Sequence, residues 1–446
     1  MMKHRPWAGL AVAFIGLVLF GPLALLSKEN AVLIAPVLLL LEAFVLKPWS
    51  SNPLQRRLIA GLLLTFVALP VGVGLFVLLN SHNELFAGYA GRDFNLGQRL
   101  LTEIHAICLY IQMILLPVPA QMTLFQDGFP IQRALDAKTF IAGTALLALV
   151  LGALLLRQRA PLIGFGVLWF FTWHLVESTA LPLEPVFEHR NYLALMGMAL
   201  VQVATLRPLI TTQRYRNVLG IAVIGFLLLL GANTAARALQ WRDAQTMMVA
   251  DYAQHPNSPR LVEGMFGIAV AQANGEAALF FAQEQQRLKP TDAYGFLQEL
   301  YLYCHSPRLP DGLVDQARIL AKHGTVSPAT TNGPQRLNEA VANGDCPAVP
   351  SRAMLTFAEG LAHNPNIHMT GVHLAALTTW ALIAIQNGER VVAETALRAA
   401  ILRAAEDSPG RLSDVLQAAR VVAEHLPLAE EAEAFLTRLQ PAAGSL

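Results

Sequence analysis

The sequence predicts an all-α protein in two parts: a polytopic helical membrane domain of about seven spans over residues 1–237, then a soluble helical, repeat-like domain over 238–446. Composition is the first reason. The chain is 54% hydrophobic and 14% charged with a mean hydropathy of +0.45, whereas soluble domains carry roughly 25% charged residues. The second reason is the recurrence of apolar runs near bilayer length through the first half. The third is a change after Trp241 to Ala-rich, helix-forming segments punctuated by Pro and Gly.

The apolar runs lie at 7–26, 31–46, 59–80, 139–156, 160–176, 191–206 and 217–236. The first follows Lys3-His4-Arg5, as in a signal peptide. It is too long for one, lacks a small-residue cleavage site, and is followed almost at once by the second run, so it reads as a retained helix. If the runs alternate, Lys3, Arg5, Lys47, Arg56, Arg57, Arg157, Arg159, Arg207, Arg214 and Arg216 all fall on one side. The positive-inside rule makes that side cytoplasmic. The expected location is a bacterial inner membrane, with the N-terminus cytoplasmic and the C-terminal domain periplasmic. Within the long stretch 81–138, the segment near 100–117 is apolar yet carries Glu103, His105 and Gln112. Counting it as a span would break the charge alternation. It reads as an amphipathic interfacial or re-entrant helix on the outer face, with an eighth span as the alternative.

In the second part, helices are expected at 258–273, 275–288, 311–322, 351–363, 370–387, 390–405 and 410–425, with the Gly/Pro/Asn-rich stretch 324–350 as an interruption. Pro256 and Pro290 each close a helical segment, and their separation equals the tetratricopeptide period. That spacing predicts a degenerate array of helical hairpins, and an irregular helical domain is the alternative. The net charge of +1 and the lack of a basic run argue against nucleic acid as a partner. The three cysteines, Cys108, Cys304 and Cys346, show no CxxC or metal-ligand spacing. Cys304 and Cys346 can pair if their domain is extracytoplasmic.

Polar groups gather where the spans meet the outer side. Ser27-Lys28-Glu29-Asn30 links the first two runs: Lys28 suits a phosphate, Glu29 an acid–base or metal role, and the plain alternative is a solvated hairpin turn. Glu184-Pro185-Val186-Phe187-Glu188-His189-Arg190-Asn191-Tyr192 opens the sixth run. Arg190 has the fork that matches phosphate. His189 can exchange a proton near neutral pH, and Glu184 or Glu188 can pair with Arg190 or act as a base if burial raises its pKa. Tyr192 and Arg190 also suit an interfacial anchor. His174 and Glu177, three residues apart, are placed on one face at the outer end of the fifth run. Arg99 and Glu103, four apart, read as an ordinary helix-surface pair. A divalent metal is possible among these carboxylates and histidines, though no spacing identifies one. No Walker, GxGxxG, GxSxG or zinc signature occurs.

Three of these stretches together, Leu26-Ser27-Lys28-Glu29-Asn30, Gly91-Arg92-Asp93-Phe94 and Phe187-Glu188-His189-Arg190-Asn191-Tyr192, resemble the bacterial relatives of the transmembrane and tetratricopeptide repeat-containing proteins, which are similar to GT-C-type glycosyltransferases. The resemblance runs from about residue 20 to 240. It implies a polyprenyl-phosphate-linked sugar donor and a protein or glycan acceptor met on the extracytoplasmic side. On this basis Lys28, Arg190, Tyr192, His174 and Arg92 are the expected substrate-binding residues, and Glu29, Glu188 and His189 the expected catalytic ones. The pattern is broken in one respect: such enzymes carry acidic residues, often paired Asp, in a large first outer loop, and here that loop is only Ser27–Asn30. Either the chain is a shortened member or its base lies elsewhere. The non-catalytic alternative is a membrane-anchored, TPR-like scaffold for envelope protein assembly.

Overall fold

The computed structural model describes residues 6–46, 57, 61, 72, 88, 89, 92–211 and 216–444. Among them every regular element is a helix and no strand forms. It divides into two compact units, Met1–Asp243 and Ala244–Leu446.

The first unit runs α1 (Pro6–Ser27), a 3-10 turn (Glu29–Leu33), α2 (Ile34–Leu41), α3 (Leu96–Leu115), α4 (Ala137–Leu155), α5 (Pro161–His174), a 3-10 turn (Glu188–Arg190), α6 (Asn191–Thr211) and α7 (Arg216–Gln240). Local chemistry sets most starts. Asn95 and Gln98 form a reciprocal capping box at α3. The Asp136 carboxylate accepts from Thr139 N at 2.7 Å and caps α4. Pro161 opens α5, where no donor is needed.

Among the described residues, three helices are long and apolar enough to cross a membrane: Ala137–Leu155, Glu188–Leu209 and Arg216–Gln240. The all-helical fold expected from the sequence is present, and three of the about seven expected spans are matched by helices of this length and composition. The runs at 7–26, 31–46 and 160–176 form apolar helices, but the stretches that qualify are shorter, Phe14–Ser27 and Asn30–Val45, and α5 has 14 residues. The expected span 59–80 lies outside the described residues, save isolated positions 61 and 72. The apolar surface of α7 is exposed within this unit, with Val218, Ile221 and Leu228 at 70% or more.

The tightest seam joins α5 to α6, where two glycines face each other. A Cβ on Gly166 would run into the Gly197 carbonyl oxygen, and one on Gly197 into that of Gly166. Small residues let helix backbones approach this closely, the packing device available where apolar side chains gain little from leaving lipid.

The second unit runs α8 (Ala244–Gln254), α9 (Pro259–Ala271), α10 (Gly275–Leu288), α11 (Tyr294–Leu302), α12 (Leu313–His323), α13 (Pro328–Ala342), α14 (Ser351–Ala362), α15 (Thr370–Gln386), α16 (Arg390–Asp407), α17 (Leu412–Ala423) and α18 (Ala429–Gly444). The stretch 324–350 holds a full helix, α13. Ser327 caps it through Thr330, and Pro328 sits at its first position, where proline is tolerated. The apolar helix α15 is the core of this unit: Ile383, Ala381 and Ala384 are fully buried, and α16 packs against it through Ala393, Leu397 and Ile401. The turn between them closes at Gly388, whose φ of 79° falls in the left-handed region and lets Glu389 N reach Ala384 O at 2.9 Å. Cys304 and Cys346 form a disulfide inside the same core.

Candidate functional site

The site is built from α3, the end of α5 and the segment 175–190 between α5 and α6. That segment is irregular, so its backbone groups need partners that a helix would have supplied internally. Side chains provide them. Arg99 donates to the carbonyls of Thr179 at 2.9 Å and Glu177 at 2.7 Å, and to that of Leu183. The Tyr89 hydroxyl donates to Ala180 O at 2.7 Å, Arg92 Nε to Pro182 O at 3.0 Å, and Arg190 to Glu184 O at 2.5 Å. Phe187 N donates to the Tyr110 hydroxyl at 2.9 Å.

Two ion pairs are buried here. Arg190 Nε meets Glu177 Oε2 at 2.8 Å, and Arg99 meets Glu103 Oε1 at 2.8 Å. All four side chains are buried. The second pair is not on the helix surface as its spacing suggested. Arg99, Glu103, Ala106, Tyr110 and Met113 make one buried stripe of α3, while Leu100, Leu115 and Leu116 are exposed. The helix turns this charged pair inward, against the segment 175–190, and leaves Leu100 and Leu115 outward. Burial pushes the Glu103 carboxyl up to about 7, against the pull of Arg99, and pushes the Tyr110 hydroxyl up to about 12, so Tyr110 stays protonated.

Glu177 is the hub. Its Oε1 accepts from Asn30 Nδ2 and its Oε2 pairs with Arg190, so the 27–30 link and the 184–192 motif meet on one carboxylate. The 92–94 loop joins through Arg92, which pairs with Glu184 at 3.0 Å. His174 is buried, stacked on Tyr110 at 4.8 Å and 13° and set edge-on to Phe170 at 4.7 Å, with Asn191 as its polar neighbour. The helix of α5 ends at His174, so Glu177 lies in the following turn and not on the same regular helical face. A further turn, held by Ser178 N to His174 O at 2.9 Å, carries Glu177 to Arg190.

The expected site residues thus separate by exposure. Lys28, His189 and Tyr192 are exposed and form the outward part, with Lys28 and Glu177 in Coulombic reach of His189. Glu188 is partly buried in the 3-10 turn beside them. Arg92 is half-buried, whereas Arg190 and His174 lie inside. Arg190 directs its donors to Glu177, Glu184 O and Pro185 O, and its guanidinium lies 5.3 Å from the Phe187 ring centre. The Glu29 side chain lies outside the described residues. The sequence offers Arg92, Asp93, Arg99, Glu103 and His105 as a weaker polar group on the outer side, and Asn30 as part of the 27–30 link, but assigns no role in the site to Arg99, Glu103 or Asn30; their signal is that ionisable groups stand at 99 and 103 on an otherwise apolar segment. Among the described residues, no group of three His, Cys, Asp or Glu side chains gathers to hold a metal ion.

No protein family, curated protein or solved structure matches the chain.

Proposed function

We propose that the first unit holds a polyprenyl-phosphate-linked sugar at its outer rim and transfers the sugar to a protein or glycan acceptor, as a GT-C-type glycosyltransferase. The observation that carries this reading is the convergence on Glu177, where motifs far apart in the chain share one carboxylate through Asn30 and Arg190. The phosphate would be met by the exposed Lys28 ammonium and by the His189 imidazole as a hydrogen-bond donor, while the Arg190–Glu177 pair beneath holds the rim in shape. Glu188, next to His189, supplies the carboxylate within reach of the rim. A TPR-like second unit outside the cytoplasm of a bacterial inner membrane would engage the acceptor. The Cys304–Cys346 disulfide favours that compartment, since such bonds persist under oxidising conditions.

The test is binding followed by transfer. Full-length protein in nanodiscs is titrated with a polyprenyl phosphate and with labelled polyprenyl-phosphate sugars, alongside Lys28→Ala and His189→Ala. Lys28→Ala should weaken binding about tenfold, the effect of losing one charge-assisted contact, and His189→Ala about fivefold, the effect of losing a neutral hydrogen bond. No binding by the wild type would sink the reading. A second reading, a non-catalytic membrane-anchored scaffold for envelope proteins, draws support from Arg190 being buried with contacts inside the protein. Binding without transfer to any acceptor would favour it. On either reading, a reporter active only in the periplasm and fused after Leu446 should be active, and its silence would overturn the orientation.

A further inference from the structure

We infer that Arg99 is the positioning residue of this site, acting through the backbone of 177–183 to set Glu177. The inference rests on the proposed lipid-phosphate site and adds to it a residue that touches no ligand. Arg99 is completely buried, and its donors go to three carbonyls spread across the irregular segment, those of Glu177, Thr179 and Leu183, and to the Glu103 carboxylate. A planar guanidinium with five donors can hold several acceptors in fixed relative positions; a lysine ammonium, a compact point charge, cannot reproduce that fork.

The consequence travels in two steps. Arg99 fixes the Glu177 backbone, and the Glu177 side chain then holds both Asn30 and Arg190. Arg190 in turn holds the carbonyls of Glu184 and Pro185, which lead into the turn carrying His189. Lys28 and His189 at the rim therefore stand on elements that Glu177 joins, one on each side. Gly88 adds a steric limit: a Cβ there would come within 2.6 Å of Pro182, so the segment is pressed against its neighbours as well as bonded to them. Glu103 plays the lesser part, since it neutralises Arg99 and approaches the Ser178 side chain rather than the backbone of the segment.

The experiment compares wild type, Arg99→Lys and Glu103→Gln as full-length proteins in nanodiscs. Two readouts are taken: hydrogen exchange of the peptides covering 175–190, and the Kd for a polyprenyl phosphate. Arg99→Lys should raise exchange in 175–190 about tenfold or more and weaken binding by a similar factor, because the charge remains but the fork is lost. Glu103→Gln should move both far less. Unchanged exchange in Arg99→Lys overturns the inference, and so does increased exchange with unaltered binding, or a Glu103→Gln effect equal to that of Arg99→Lys. If the wild type binds no polyprenyl phosphate, the proposed function fails, and the exchange measurement still decides whether Arg99 holds the segment.

Discussion

Glu177 and Arg190 meet at 2.8 Å with both side chains buried, and Glu177 spends its other oxygen on Asn30. A buried pair of this kind adds little net stability relative to apolar residues of the same volume, but losing one partner strands a charge. Glu177→Ala and Arg190→Ala should each cost about 3–5 kcal/mol. The double variant Glu177→Leu/Arg190→Met should cost less than the two single losses combined. Unfolding midpoints in detergent check this, and strict additivity would show that the pair is not coupled.

The glycine seam between α5 and α6 leaves no room for a methyl group on either side. Gly166→Ala should force the helices apart and cost about 1–3 kcal/mol, the usual range for overpacking. Gly220→Ala, where nothing lies within 4 Å, is the control and should be close to neutral. Thermal unfolding of the two variants side by side gives the comparison.

The Cys304–Cys346 bond closes a separation of 42 residues. Cys304→Ser should destabilise the second unit by about 2–4 kcal/mol. In the wild type, alkylation without reductant should label Cys108 alone, and all three cysteines only after reduction and unfolding. Labelling of Cys346 without reductant in the wild type would contradict the pairing.

His373 in α15 contacts the Ala362 carbonyl at 3.0 Å, and burial holds its imidazole below the ordinary range. Its folded pKa therefore lies below that of the unfolded chain, so just under the ordinary value of about 6.5 the unfolded state binds more protons. The contribution of neutral His373 is present above that pH and lost as pH falls through it. Denaturant midpoints should drop between about pH 7 and 5 more steeply for wild type than for His373→Gln. Equal slopes would exclude His373 as a source of the dependence.

The helices were legible wherever local chemistry decides them. Segments expected at 275–288, 351–363, 370–387 and 390–405 correspond to helices at 275–288, 351–362, 370–386 and 390–407, because helix-forming composition and apolar spacing act within a few residues, joined at the first by the Asn274 cap. The stretch 324–350 was not legible, since its Pro and Gly content resembles a loop while the Ser327 cap and the N-terminal place of Pro328 turn it into α13. The site was legible as a set of motifs and illegible as a network. Sequence spacing puts Arg99 and Glu103 on one helical face, but what that face meets is set by the segment 177–183, distant in sequence, that packs on it.

The sequence by itself determined that this protein is helical, that its first half is apolar enough to offer membrane-crossing helices, and which short stretches carry its polar groups. Periodicity, composition and capping suffice for those, being local. The tertiary structure decided the rest. It turned Arg99 and Glu103 inward, made Glu177 the meeting point of Asn30 and Arg190, left Lys28 and His189 facing outward, and brought Cys304 to Cys346. Each of these depends on which residues distant in the chain share a buried volume, where an unpaired charge or backbone group must find a partner.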